Sequence, residues 1–224
     1  MLFKKIIDLT HEIHKEMSTF NVPWHTKVSI KILGQHGKEG RMTREIIMGT
    51  HTGTHTDAPL HFIAGGTSIE EITLEKLVGP VTIVNFSDLE ENAAITQEML
   101  EKITIGKKML FKLGWGKYWN TDKFYSSYPF FSKEAAEFLL GRGVEMVAID
   151  TPSPDDSRIK LGGDTLGSDC DSPIHKIFLR AGVILVEYVA NLDKLEDYEN
   201  WNIVVAPLKI KGADGSPSRV FLFK

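Results

Sequence analysis

The sequence predicts one mixed α/β domain spanning residues 1–224. Three observations carry that prediction. Eight short runs rich in β-branched residues are spread along the whole chain. Helical patterns lie between some of them, without the regular alternation of a doubly wound sheet. No linker, internal repeat or low-complexity tract interrupts the 224 residues, a length that suits one sizeable core.

The strand runs, in order, are "KKIIDLT", "VSIKIL", "REIIMG", "VTIVNF", "KMLFKLG", "MVAID", "VILVEYV" and "NIVVAPL". Most are near-continuous apolar stretches, which predicts strands covered on both faces. "TQEMLEKI" reads as a short helix capped by Thr96. "SKEAAEFLLGRG" places Ser132 at the cap, Ala135, Phe138 and Leu139 on one face, and Gly141 or Gly143 at the stop. "DSPIHKIFLRAG" places Asp171 or Ser172 at the cap, Pro173 in the first turn and Gly182 at the stop. Residues 153–172 form a long polar loop, and loops of that length in a compact domain are often functional.

Composition excludes several function classes. The net charge is −4 and no Lys/Arg-rich run stands out, so nucleic acid is not an expected partner. No apolar stretch approaches the roughly 18 residues that span a bilayer. The first residues lack the apolar core and cleavage site of a signal peptide. The single cysteine, Cys170, cannot form an intrachain disulfide, so a reducing, cytoplasmic location is expected. There is no G-x-S-x-G element of a serine hydrolase. "HEIH" at 11–14 is one residue short of H-E-x-x-H and reads as an exposed turn, and "GGDTLG" and "LGWG" lack the Lys-Ser/Thr of a phosphate cradle.

Chemistry concentrates in "HTGTHTDAPLHF", residues 51–62. As a helix, it would put His51 and His55 on one face but turn Asp57 away. As a strand, His51 to Asp57 would span about 20 Å at roughly 3.3 Å per residue, too far for one ion. Convergence therefore requires the backbone to fold back, and Gly53 is the residue that permits a positive φ. Downstream, Thr56 or Asp57 reads as a helix cap, with Pro59 in the first turn and His61 one turn on. Imidazole and carboxylate together suit Zn²⁺, Mn²⁺ or Fe²⁺, and Asp57 can offer one oxygen to each of two ions. The alternative is a capping aspartate among ordinary histidines. A second half-site comes from Glu187, which interrupts the apolar run "VILVEYV" and shares parity with Val183 and Leu185. A carboxylate in a buried strand is costly unless protonated, paired or metal-bound. His175 lies on the helix just upstream. The other histidines, His11, His14, His25 and His36, fall outside the expected site.

At these residues the chain resembles the metal-dependent cyclase-like hydrolases, which include bacterial kynurenine formamidase and isatin hydrolase. "HTGTHTDAPLHF" is similar to their H-x-G-T-H-x-D-x-P-x-H signature. "IDLTHEI", "AIDTPSPD" and "HKIFLRAGVILVEYVANL" resemble the opening strand, the central strand with its loop, and the closing segment. The resemblance implies a cyclase-like swivelling β/β/α fold, with a mixed, partly barrel-like sheet and flanking helices. It implies two divalent ions, zinc first and manganese second. His51, His55 and Asp57 would hold one, and Asp57 would bridge to another held by His175 and Glu187. His61 would be the general acid/base rather than a ligand. It further implies a small-molecule amide or formamide substrate and a homodimer or homotetramer whose neighbouring subunit can help wall the pocket. N-formylkynurenine is the leading substrate; a cyclic amide such as isatin, or metal-dependent ligand binding without turnover, are the alternatives. One departure is visible: "STFNVPWHTKV" lacks the Pro-Gly-Asp element of many members, in a region expected to line the substrate pocket. Among Phe20, Trp24, Phe62, Trp115, Tyr118 and Trp119, only Trp24 and Phe62 sit where they would stack on an aryl substrate.

Overall fold

All eight β-branched runs form strands in the fold, which comes from a computed structural model describing residues 5–159, 167–168 and 170–224. In chain order the strands are β1 (Ile6–Asp8), β2 (Ser29–Gly34), β3 (Thr43–Ile47), β4 (His55–Asp57), β5 (Val78–Pro80), β6 (Thr82–Asn85) and β7 (Ala94–Ile95). Then follow β8 (Lys108–Lys112), β9 (Phe130–Phe131), β10 (Met146–Ile149), β11 (Ile184–Glu187), β12 (Asn202–Pro207) and β13 (Gly215–Phe223). The α-helices are α1 (His36–Glu39), α2 (Leu74–Leu77), α3 (Gln97–Leu100), α4 (Lys133–Gly141) and α5 (Pro173–Arg180).

The main sheet runs β5-β12-β13-β4-β11-β10-β8-β6, with β1 added against β13. β6, β8, β10 and β11 are mutually parallel, and every other pairing in this sheet is antiparallel. Its two ends, β5 and β6, are separated in sequence by Val81 alone, whose N–H donates to the Trp201 carbonyl. The sheet therefore nearly closes on itself, giving the mixed α/β domain expected from the sequence and the barrel-like form that the family resemblance implies. Alternation along the strands fills two cores. Leu110, Ala148, Val186 and Ile203 point to the inside with Trp201 and Leu222. Phe111, Val147 and Leu185 point outward, under Ala135 and Leu139 of α4 and Phe178 of α5.

The two long helices start and stop close to where the sequence places them. The Ser132 hydroxyl accepts from the Ala135 N–H, and Gly143 takes φ +77° just beyond the end of α4. Thr96 likewise caps α3 by accepting from the Met99 N–H. At α5, Ser172 occupies the N-cap position, one of the two expected, but its side chain makes no capping hydrogen bond. Asp155, 19 and 20 residues upstream of its partners, accepts from the N–H groups of Ile174 (2.7 Å) and His175 (3.2 Å). An anion at a helix N-terminus satisfies orphan donors and favours the macrodipole. Residues 160–166 and 169 of the long polar loop lie outside the described residues.

Two expectations fail. The apolar runs of β8, β10 and β11 are covered on both faces, but the β2–β3 hairpin is not: every residue of β3 is exposed. "HEIH" is not an exposed turn either. The His11 ring stacks on Trp119 at 4.0 Å, and its Nε2 is buried.

Candidate metal centre

The segment 51–62 is built from three short pieces. Gly53 turns the chain at φ +59°, as its position requires. Residues 55–57 then pair as β4 between β11 and β13, and a single 3-10 turn follows over Pro59–His61 with Ala58 at its cap. Asp57 is thus a strand residue and not the helix cap expected from sequence, and Thr56 is not one either. Its carboxylate is free to face the centre.

Register does the rest. In the antiparallel β4–β11 pair, His55 lies opposite Glu187 and Asp57 opposite Leu185. Directly opposed residues share a face. Glu187 therefore sits on the outward face with Leu185, under α5, and α5 brings His175 to it. On the other side Asp57 lies opposite Gly215. A Cβ at Gly215 would stand 2.8 Å from His51 Cε1 and 2.8 Å from the Thr56 carbonyl oxygen, so the bare backbone is what admits the His51 ring.

The five expected ligands and His61 meet. His51 Nδ1 is 2.7 Å, and His55 Nε2 3.2 Å, from Asp57 Oδ1. His175 Nε2 is 3.5 Å from the other oxygen, Oδ2, and 3.2 Å from Glu187 Oε1. His55 Nε2 is also 3.4 Å from Glu187 Oε2. The two imidazoles are aimed by their far nitrogens. His55 Nδ1–H donates to the Gly53 carbonyl at 2.8 Å, and His175 Nδ1–H to Asp155 at 2.5 Å. Backbone carbonyls and carboxylates in that position fix the tautomer of a metal-ligating histidine. Asp57 Oδ2 and Glu187 Oε1 are buried and make no hydrogen bond.

The electrostatics describe a cluster short of positive charge. Burial resists ionisation of Asp57, yet His51, His175 and His55 outweigh it and hold its pKa well below the ordinary carboxylate range. Burial, and then the Asp57 charge, push Glu187 upward. Burial also opposes protonation of His51, but Asp57 and Asp214 override it and raise its pKa to about 10. His175 is raised in the same way by Asp155, Asp57 and Glu187, against its burial. Two buried carboxylates facing imidazole nitrogens form a donor set for a divalent cation. His51, Asp57 and His61 bring ligand atoms within 4.8 Å of one another, and so do His55, Asp57 and Glu187.

A cavity of about 360 Å³ opens over this cluster, within the usual range for small-molecule sites. Phe62 lines it, edge-on to His61 and 4.9 Å from the His175 ring. Trp24 stands at its rim, 56% exposed. Phe20, Val22 and His25 line it too, so the "STFNVPWHTKV" segment does wall the cavity. Trp115, Tyr118 and Trp119 instead pack with Phe124 and Tyr188 as a small core.

Four contributors were not foreseen. Asp155 hides in a polar loop, and Asp214 in the turn-like "GADGSP"; neither has a local signal. His25, assigned outside the site, stacks 6.1 Å from His51. Tyr188 lines the cavity beside Glu187 at φ +58°, a strained conformation for a bulky side chain.

A family model described as "Putative cyclase" matches residues 7–156. The kynurenine formamidase of Bacillus anthracis is 28% identical over 223 residues, covering 99% of each chain. Isatin hydrolase A from Labrenzia aggregata, solved bound to benzyl benzoate, superposes with a TM-score of 0.84 at 26% identity, covering 98% of this chain and 93% of that one. A protein described as a predicted metal-dependent hydrolase, from Bacillus stearothermophilus, is 30% identical with a TM-score of 0.75 and 98% of each chain covered.

Proposed function

The chain belongs to the cyclase family matched over residues 7–156, and on that premise we propose that it is a two-metal hydrolase of aryl formamides. The observation that carries this reading is the split of Asp57: one oxygen faces His51 and His55, and the other, without a hydrogen bond, faces His175 beside Glu187. His51, His55 and Asp57 would hold one divalent ion, and Asp57, His175 and Glu187 a second. Zinc is the first choice and manganese the second. Ions bound there supply Lewis-acid chemistry, activating water and polarising a carbonyl.

The chain's own residues do the remaining work. Burial, against the Asp214 bond, lowers the pKa of His61, so its imidazole is neutral at pH 7. Its Nδ1 faces Asp214 at 3.2 Å, leaving Nε2 to move the proton. It takes that proton from the attacking water and delivers it to the leaving nitrogen as the C–N bond breaks. Phe62 and Trp24 offer faces and edges on which the aryl group stacks.

Formylkynurenine leads because curated relatives matched over nearly their whole length are kynurenine formamidases. A cyclic aryl amide is the second reading, favoured by the superposition on isatin hydrolase A. Both substrates place an amide nitrogen on an aromatic ring. The chain is further assigned to a homodimer or homotetramer. Ile32, Leu33, Met42, Ile46 and Ile47, on and beside the β2–β3 hairpin, are exposed apolar side chains that such an assembly would cover. No helix among the described residues is long and apolar enough to cross a membrane.

The test is a panel of N-formylkynurenine, isatin and a simple alkyl formamide, with protein reconstituted in Zn²⁺ or Mn²⁺. The expected result is the highest kcat/KM for N-formylkynurenine and the lowest for the alkyl formamide. Tight binding of these compounds with no turnover of any would overturn the hydrolase reading.

A further inference from the structure

Asp214 belongs to neither half of the expected ligand set. It precedes β13, far in sequence from the 51–62 segment, yet one of its oxygens meets two rings of that segment. Oδ2 lies 2.8 Å from His51 Nε2 and 3.2 Å from His61 Nδ1. The two rings face each other with centroids 3.9 Å apart. The carboxylate is held by its backbone. The Asp214 carbonyl accepts from the Ala58 N–H at 2.9 Å, and the preceding Ala213 carbonyl accepts from Ile69 at 2.9 Å. Gly215 follows, with no Cβ to push the His51 ring aside.

From this geometry we infer that Asp214 is a positioning residue that orients the metal ligand His51 and the acid/base His61 through a single shared acceptor oxygen. This rests on the roles assigned to those histidines above. The physical reason is geometric. An imidazole has one remaining torsion that swings its two nitrogens, and an acceptor on one nitrogen fixes the direction of the other. Accepting from both rings at one atom sets the two directions relative to each other. His51 Nδ1 is thereby kept on Asp57, and His61 Nε2 is kept facing the cavity. A proton-transfer group and the ion that activates its water must stay in register, since small misplacements cost large factors in rate.

The test uses the metal-loaded enzyme with Asp214→Ala, Asp214→Asn, His61→Ala and the His61→Ala/Asp214→Ala double variant. Two quantities are read: kcat and KM on the best substrate of the panel, and Zn²⁺ affinity by titration of metal-stripped protein. Asp214→Ala is expected to lower kcat about 10- to 100-fold with KM nearly unchanged, and to weaken Zn²⁺ binding about 10-fold or more. Asp214→Asn, which keeps an acceptor oxygen in place, recovers most of both losses. Added to His61→Ala, Asp214→Ala costs clearly less kcat than it costs alone, because one of the two rings it orients is gone. If Asp214→Ala does not fold, Asp214→Ser replaces it, being too short to reach both rings. Wild-type kcat and Zn²⁺ affinity in the truncated variant would overturn the inference. So would full additivity with His61→Ala, or an Asn variant as impaired as the Ala variant. If the wild type turns over no amide, the functional reading fails, and the Zn²⁺ titration still decides the His51 arm.

Discussion

Asp57→Ala yields a protein that binds neither ion and turns over no amide. Asp57 is fully buried, and both of its oxygens are used, one toward each half of the cluster. Any other single ligand removes donors from one half, whereas this substitution removes the link between them. The loss in kcat/KM should reach about 10⁴-fold or more, since without Lewis-acid activation the pKa of water stays at 15.7 rather than near 7. Circular dichroism separates this effect from unfolding, and a chelator should reproduce it in the wild type. Zn²⁺ restores activity to the chelated wild type but not to the variant. The linkage to pH has a definite sign. In the metal-free chain Asp57 and Asp214, against burial, hold the His51 pKa up at about 10. At pH 7 the ion must therefore displace a proton, and its affinity falls as pH falls. Calorimetry in buffers of different ionisation enthalpy reads that proton release directly.

The second large effect is at His61. His61→Ala should lower kcat by about 10²- to 10⁴-fold, the usual contribution of a positioned acid/base. The metal content should not change. This pairing of readouts is needed because His61 lies close enough to His51 and Asp57 to be a ligand itself. Loss of an ion along with activity would make it one, and the proton transfer would then need another group. Retention of full activity with full metal content would remove His61 from the chemistry altogether.

Much of this centre was legible in the sequence because its signals are local. Four ligand-type side chains within eleven positions cannot converge on a regular helix or strand, so a fold-back at Gly53 was required, and Gly53 has φ +59°. Glu187 inside an apolar run, in parity with Leu185, announced a carboxylate buried among apolar neighbours. What stayed hidden depends on pairing across long separations. Residues 55–57 are too few to show a strand pattern, so Asp57 read as a cap. β13, the longest strand among those described, opens with "GSP", which reads as a turn, and two of its three partner strands, β1 and β4, lie far away in sequence. Asp155 and Asp214 act only after α5 and β13 have docked, so no spacing rule reveals them. The β2–β3 hairpin has the composition of a buried strand pair but lies on the surface, as a two-stranded sheet outside the main one, with every residue of β3 exposed.

The central claim is that five side chains hold two ions with Asp57 shared between them, and counting ions tests it most directly. Metal-stripped wild-type protein should take up two Zn²⁺ per chain by titration and elemental analysis. Glu187→Ala should take up one, leaving His51, His55 and Asp57 to hold it. A single ion in the wild type, unaffected by Glu187→Ala, would contradict the account.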